Sequence, residues 1–540
     1  MNLILLLAIT GTLFVLAYRF YGRFIANKLK IDDDNITPAH TEKDGVDYVP
    51  SKTPMVLGHH FASIAGAGPI VGPIIAVAFG WIPAVLWIVI GGIFFGAVHD
   101  LTSLTASLRH KGKSIGELIE RYIGAFGKKL FIIFAFATLI LIIAVFMDIV
   151  ARTFVSVPAA ASASVGFIIL ALIFGAIFRA DKVPFWLLTV VGVAIMYTMI
   201  YGGELLPLEL GYWFWILILL IYIFFAAVSP VQVLLQPRDY LNSYLLYGMI
   251  LFGIIGVIVT NPTAQMGNEV HFYAEGLGFL FPVLFVTIAC GAISGFHSLV
   301  ASGTTSKQID KETDAKTIGF GGMLIESMLA ILAVGAVMVL TREQYMASLA
   351  ELGPVTLFSQ GLGGFISSIG IPESLAISFV ALTVSAFALT TLDTCTRLAR
   401  FTFKEYFEKE DTRVHIVSEN RFLSTAIIGV LSAALLLTGQ FQELWPIFGS
   451  ANQLLAALAL LAVSVWLIKS DVNPIFTLLP MTFMFAVTLT SLLFFVWNNI
   501  TAHSYILAAL ALALFVLAIV LINFARKSLR EYNLFGGKES

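Results

Sequence analysis

The chain has 540 residues, 59% of them hydrophobic and 12% charged, with a mean hydropathy of +0.94 and a formal net charge of −2. Charged residues make up about a quarter of an ordinary soluble domain, so the composition excludes a soluble globular protein of this size and points to an all-α polytopic membrane protein. The charge sum says nothing about partners; no nucleic acid is expected, and Cys290 and Cys395, both in apolar segments, exclude a disulfide framework or a zinc ribbon.

About fifteen apolar segments have the roughly 17–25 residues that cross about 30 Å of hydrocarbon. They are 2–20, 56–79, 84–107, 130–150, 164–179, 184–201, 213–235, 243–261, 278–301, 317–340, 375–397, 421–438, 451–468, 474–497 and 504–525. Arg19 and Arg23 come after the apolar run and no basic stretch precedes it, so residues 1–23 read as a retained accessory helix and not a signal peptide. A polar loop, 24–54, carries Asp32-Asp33-Asp34.

The second segment contains Gly58-His59-His60 and Gly66-Ala67-Gly68-Pro69. Proline lacks the N–H of the helical ladder and its ring clashes with the preceding turn. In lipid a broken ladder is tolerated only where it lines a cavity or is covered by protein. A discontinuous helix is therefore expected, with backbone groups of Gly66, Ala67 and Gly68 available to a substrate. The alternative is a glycine-rich helix in close packing. His59, His60 and, on the third segment, His99 and Asp100 are candidates for proton or ion coupling, because a histidine beside a carboxylate can titrate near neutrality. A structural His–Asp bond is the alternative. A metal site from these four is set aside, since adjacent residues point to different helix faces.

Ser114 and Glu117 form a capping-box pattern ahead of Ile115, Leu118, Ile119, Tyr122 and Ile123, which predicts an amphipathic helix at the membrane surface. Asp148 and Arg152, four apart, suit a local ion pair. In the seventh segment Ser229-Pro230 marks a second interruption, which nominates Ser229 and Gln232 for substrate contact. It lies five segments after the first. An odd spacing inverts the second unit, so residues 55–201 and 213–400 are expected to be two inverted five-helix repeats. The segments within 421–525 are then accessory, and 526–540 a tail.

The ninth segment adds Ser294, His297, Ser302, Thr304 and Thr305, a density of polar groups that suits a carboxylate or a hard cation. Ser294 and His297 are assigned to substrate; His297, Ser302, Thr304 and Thr305 are assigned to coupling. Glu326 in the tenth segment is a further proton-carrier candidate, and Asp393 with Arg397, four apart, is a candidate gate or, alternatively, a helix-end ion pair. Residues 354–370, apolar and glycine-rich, are expected to be re-entrant. Trp445 to Gln453 opens the thirteenth segment with polar residues of no evident role. With the N-terminus outside, the alternating loops place 29 of the 31 Lys and Arg on the inner side, with Arg152 and Arg342 the exceptions, and the C-terminus in the cytoplasm.

Several stretches resemble the carbon starvation CstA family: Tyr18-Arg19-Phe20-Tyr21-Gly22, Asp47-Tyr48-Val49-Pro50, Gly58 to Pro73, Pro237-Arg238-Asp239-Tyr240, Cys290 to His297, Ser302-Gly303-Thr304-Thr305, Thr390-Thr391-Leu392-Asp393 and Trp445-Pro446. The resemblance runs from near residue 15 to about 460. It implies a LeuT-like inverted five-plus-five fold, a prokaryotic inner-membrane location, and uptake of peptides or of pyruvate with protons during carbon starvation. It brings no cofactor and no residue-by-residue site. The position of His99 is often Gln in the relatives, which weakens a family-wide proton role there. The larger relatives carry an extra N-terminal helix and a longer C-terminal part. The resulting expectation is a proton-coupled importer, with sodium coupling as the alternative. No nucleophile–base motif or nucleotide loop argues for an enzyme. A channel or nutrient sensor remains the rival class.

Overall fold

The computed structural model describes residues 1–45, 47–180, 183–230, 234–407, 417, 419–438 and 441–531. In chain order the main helices are α1 (Leu3–Lys28), α2 (Thr53–Ile64), α3 (Gly68–Phe79), α4 (Trp81–Arg109), α5 (Ile115–Tyr122), α6 (Ala125–Ser156), α7 (Pro158–Ala180), α8 (Phe185–Leu205) and α9 (Tyr212–Val228). They continue as α10 (Leu235–Thr260), α11 (Leu280–Thr287), α12 (Gly295–Gly303), α13 (Lys316–Met338), α14 (Arg342–Ser367) and α15 (Glu373–Phe407). The last four are α16 (Arg421–Thr438), α17 (Phe441–Lys469), α18 (Ile475–Thr501) and α19 (Tyr505–Glu531). Among the described residues, eleven helices are long and apolar enough to cross a membrane, or twelve if the bent pair α2–α3 counts as one span; α9 and most of α16 are shorter apolar helices. The chain is a multi-pass, nearly all-helical membrane protein, and one two-stranded hairpin, Tyr273–Ala274 with Gly278–Phe279, is its only sheet among the described residues.

The expected break in the second segment is present. The helical ladder stops after Ile64, resumes at Gly68 with Pro69 in its first turn, and bends by 44°. Proline is tolerated there because a first-turn N–H has no helical acceptor anyway. One carbonyl at this break is satisfied from outside the helix: Thr391 Oγ donates to Ser63 O at 3.1 Å. The close approach requires glycine. A Cβ on Gly68 would lie 2.5 Å from Cys290 Sγ, and one on Gly72 would lie 2.2 Å from the Thr287 carbonyl oxygen.

Those two contacts identify the partner of the first break. The seventh segment is not broken in mid-span. Helix α9 ends at Val228, Ser229 is extended, and α10 starts at Leu235, so Ser229-Pro230 belongs to a connection between helices. Gln232 lies outside the described residues. The second mid-span break is residues 288–294, between α11 and α12, where Gly291, with no Cβ, sits against Ala330 and Pro73. This displaces Ser229 from the substrate position expected of it, because Pro230 interrupts helix only where the chain was already leaving it.

Elsewhere, Ser114 caps α5 by accepting from Glu117 N at 3.2 Å; Ile115, Leu118 and Ile119 are buried against protein, so the apolar face packs inward and does not lie on lipid. Residues 354–370 fall mostly in α14, a helix bent at Gly353 (φ 73°), whose Tyr345 donates to Ile74 O at 2.6 Å. The two longest helices, α6 and α15, run along each other beside the breaks. The 24–54 loop is folded onto the α12–α13 connection, with Ser51 N donating to Gln308 O and Thr37 Oγ to Ile309 O.

Candidate functional site

Helix α4 carries His99 and Asp100, α12 carries His297 and α13 carries Glu326; all four side chains are fully buried. Asp100 receives two histidines: His99 Nδ1 lies 2.7 Å from Oδ1, and His297 Nδ1 lies 2.8 Å from Oδ2. The far nitrogen of His297, Nε2, lies 3.3 Å from Glu326 Oε2, close enough for an ion pair but outside hydrogen-bond alignment. A charged side chain at mid-membrane costs about 2.5–3.5 kcal/mol on insertion scales, so such groups persist in pairs or for function. An ionised Asp100 accepts from both rings, which leaves each histidine protonated on Nδ1. His297 Nε2 is then the atom free to exchange a proton beside Glu326.

The breaks supply the remaining walls. Asn452 of α17 accepts from the Phe296 backbone N–H at 2.9 Å, and its amide nitrogen donates to Ser294 Oγ at 3.0 Å, so it caps the start of α12. Gln453 reaches the Phe285 carbonyl at 2.7 Å. This gives the Trp445–Gln453 stretch a role that the sequence reading lacked. A buried amide pair in an otherwise apolar helix was the available signal.

His60 is also buried, with Nδ1 2.8 Å from Thr305 Oγ. Ser302 and Thr304 donate to Ser298 O and Val300 O of their own helix, the local back-bonding that hydroxyls make when nothing else claims them. Asp393 does not pair with Arg397. Its partners are Arg238 and Tyr222, and Arg238 also holds Asp239 at 3.1 Å. Arg397 instead donates to the carbonyls of Ala226 and Ser229, at 3.1 and 2.5 Å. The four-residue spacing suggested a local pair, but tertiary packing brought a nearer cation to Asp393. Asp148 and Arg152 do pair, at 2.7 Å, with Tyr212 donating to the same carboxylate.

A cavity of about 450 Å³ opens at the membrane face that carries the 24–54 loop. Of the sequence candidates, His59, Thr304 and Arg397 line it. Gly66, Ala67, Gly68, Ser294 and His297 do not; they are packed at the crossing of the breaks. His59 Nδ1 is 3.1 Å from Asp239. Among the described residues no group of three His, Cys, Asp or Glu has the geometry of a metal site.

The family model described as carbon starvation protein CstA matches residues 2–351 and 346–491. A Bacillus subtilis protein named peptide transporter CstA is 34% identical over 520 residues, covering 87% of this chain and 86% of its own. A Campylobacter jejuni protein of the same name is 32% identical, covering 88% and 78%. An Escherichia coli protein named pyruvate/proton symporter BtsT is 32% identical over 552 residues, covering 85% and 76%. Among solved structures, a mutant manganese transporter of Eremococcus coleocola aligns with a TM-score of 0.48 at 12% identity, over 90% of this chain and 99% of that one. MhsT in complex with L-phenylalanine aligns at 0.44 and 15% identity, over 88% and 98%.

Proposed function

The chain belongs to the carbon starvation protein CstA family, and from that premise we propose a secondary active importer of peptides or pyruvate, coupled to protons and working by alternating access. That it is a transporter and not an enzyme follows from its relatives; substrate, coupling ion and starvation role are the proposal. The observation that carries the coupling is the buried Asp100–His297–Glu326 set. One proton shared between His297 Nε2 and Glu326 can sit on either group while Asp100 holds the ring in place. Protonation of both would leave the set one charge more positive, and that difference is what a change of conformation can respond to.

The repeat is proposed in a revised form. If the hairpin α7–α8 is an insertion, the first unit is α2–α3, α4, α6, α9 and α10, and the second is α11–α12, α13, α15, α16 and α17. Each unit then begins with its broken helix, and a short or bent helix, α5 or α14, follows its second span. The proposed orientation, with the N-terminus outside and the C-terminus in the cytoplasm, puts the cavity mouth on the cytoplasmic side. Sodium coupling is the alternative, since the Ser302 and Thr304 hydroxyls donate to Ser298 O and Val300 O and keep their oxygen lone pairs for a cation.

The test is uptake of labelled pyruvate and of a labelled dipeptide into proteoliposomes under a proton gradient, a sodium gradient or neither. Accumulation driven only by protons is expected for one of the two substrates. Equilibration that ignores both gradients would mean a facilitator or channel.

A further inference from the structure

Three arginines gather where α9, α15 and α16 reach the same face of the membrane. Arg397 and Arg400 stand near the end of α15, and Arg421 opens α16. Arg397 donates to the Ala226 and Ser229 carbonyls, and Arg421 reaches Val228 O at 3.5 Å, so both converge on the last turn of α9. Arg400 lies within electrostatic reach of each.

Cations at the C-terminus of a helix complement its dipole and its free carbonyls, which accounts for the hydrogen bonds of Arg397 and Arg421. It does not account for Arg400. That side chain is half-buried, makes no hydrogen bond among the described residues, and has its Nε closed off from solvent without a partner. The Nε of Arg397, a residue only 7% exposed, is equally without a partner. The remaining contacts of Arg400 and Arg421 are with the rings of their own neighbours, Phe401 at 4.7 Å and Phe422 at 5.0 Å. None of the three arginines forms an ion pair among the described residues. Asp47 is within electrostatic reach of Arg397 and Arg400 without pairing with either, and Asp239 and Asp393 are held by Arg238. A buried donor without an acceptor is costly, and like charges repel. An anion accepting from this cluster relieves both.

The surroundings indicate which anion. Phe225 of α9 and Phe422 and Leu423 of α16 are exposed beside the arginines, and the Phe224 and Phe422 rings meet at 6.3 Å. In a membrane-spanning chain such faces meet acyl chains, while cations at the helix ends stand at headgroup depth. Guanidinium groups match phosphate oxygens in a bidentate fork, and basic pockets between membrane helices take acidic headgroups.

We propose that Arg397, Arg400 and Arg421 form a binding site for the phosphate of an anionic phospholipid whose acyl chains lie along α9 and α16. Arg397 also lines the cavity, so the lipid site and the cavity share one side chain.

The experiment is native mass spectrometry of the full-length protein in detergent, titrated with phosphatidylglycerol, phosphatidylcholine and inorganic phosphate. Phosphatidylglycerol should bind more tightly than phosphatidylcholine, and excess inorganic phosphate should not displace it. This comparison needs no variant to fold. Arg400→Gln with Arg421→Gln, which leaves the Arg397 bonds to α9 in place, should weaken phosphatidylglycerol binding at least about tenfold, the factor for losing a charged hydrogen bond. Arg19→Gln with Arg23→Gln, which removes two exposed cations of α1, should leave the affinity unchanged. Equal binding of the two lipids, equal loss in both double variants, or displacement by inorganic phosphate would each overturn the site. Binding is read without substrate or gradient, so the result is independent of the importer reading.

Discussion

The crossing of the two broken helices and the cavity beneath it handle charge in opposite ways. At the crossing, Asp100 lies between two histidines, one of which faces Glu326, and glycines bring backbone to within contact of side chains. In the cavity, Arg397 and Lys307 lack carboxylate partners among the described residues and face open volume. A paired, buried cluster can share a proton; a cation with no carboxylate partner at a cavity wall can hold an anion. On the proposed reading the buried cluster serves coupling, and α2 and α12, which carry residues of both regions, connect it to the cavity.

The largest effect should come from filling the crossing. Gly68→Leu is expected to abolish uptake in the proteoliposome assay, because even a Cβ there overlaps Cys290, and overpacking of a tight core costs about 1–3 kcal/mol or more. Gly68→Ala should be relieved by Cys290→Gly. Near-normal uptake by Gly68→Leu would mean that the glycines are not holding the breaks together. Next comes His297→Gln, which can still donate to Asp100 but cannot carry a proton. Counterflow exchange of substrate should survive while accumulation driven by a pH gradient disappears; retained accumulation would sink the coupling role.

Asn452→Ala sharpens the comparison structurally. It strands the Phe296 N–H, at a cost of about 1–3 kcal/mol, and should lower the thermal midpoint in detergent. An unchanged midpoint would show that another acceptor replaces it. The smallest effect is expected for Ser114→Ala at the start of α5, about 1 kcal/mol for a lost cap, read as a small drop in midpoint with uptake unchanged. A loss of uptake there would instead tie α5 to transport.

The chemistry-bearing residues of the crossing were legible one by one. His99, Asp100, His297 and Glu326 stand out because charge is rare in apolar segments, and Gly66–Pro69 stands out because proline cannot continue a helix. Asp393 and Arg397 were legible too, but their partners were not: helical spacing reports only neighbours on one helix, while Arg238 reaches Asp393 from another.

What the sequence determined by itself is a property of single segments: the membrane-spanning composition, the helical runs, and the first break, all set by local sterics and by the need of lipid-exposed backbone for internal hydrogen bonds. Only the tertiary structure decided which break answers the first. Ser229-Pro230 and residues 288–294 both interrupt helix in the chain, yet only the latter lies against Gly68 and Gly72. The cavity was likewise invisible. It is a space between the 24–54 loop, α7, α10, α12 and α15, and no single segment encodes a volume bounded by residues as far apart as Asp47 and Phe401.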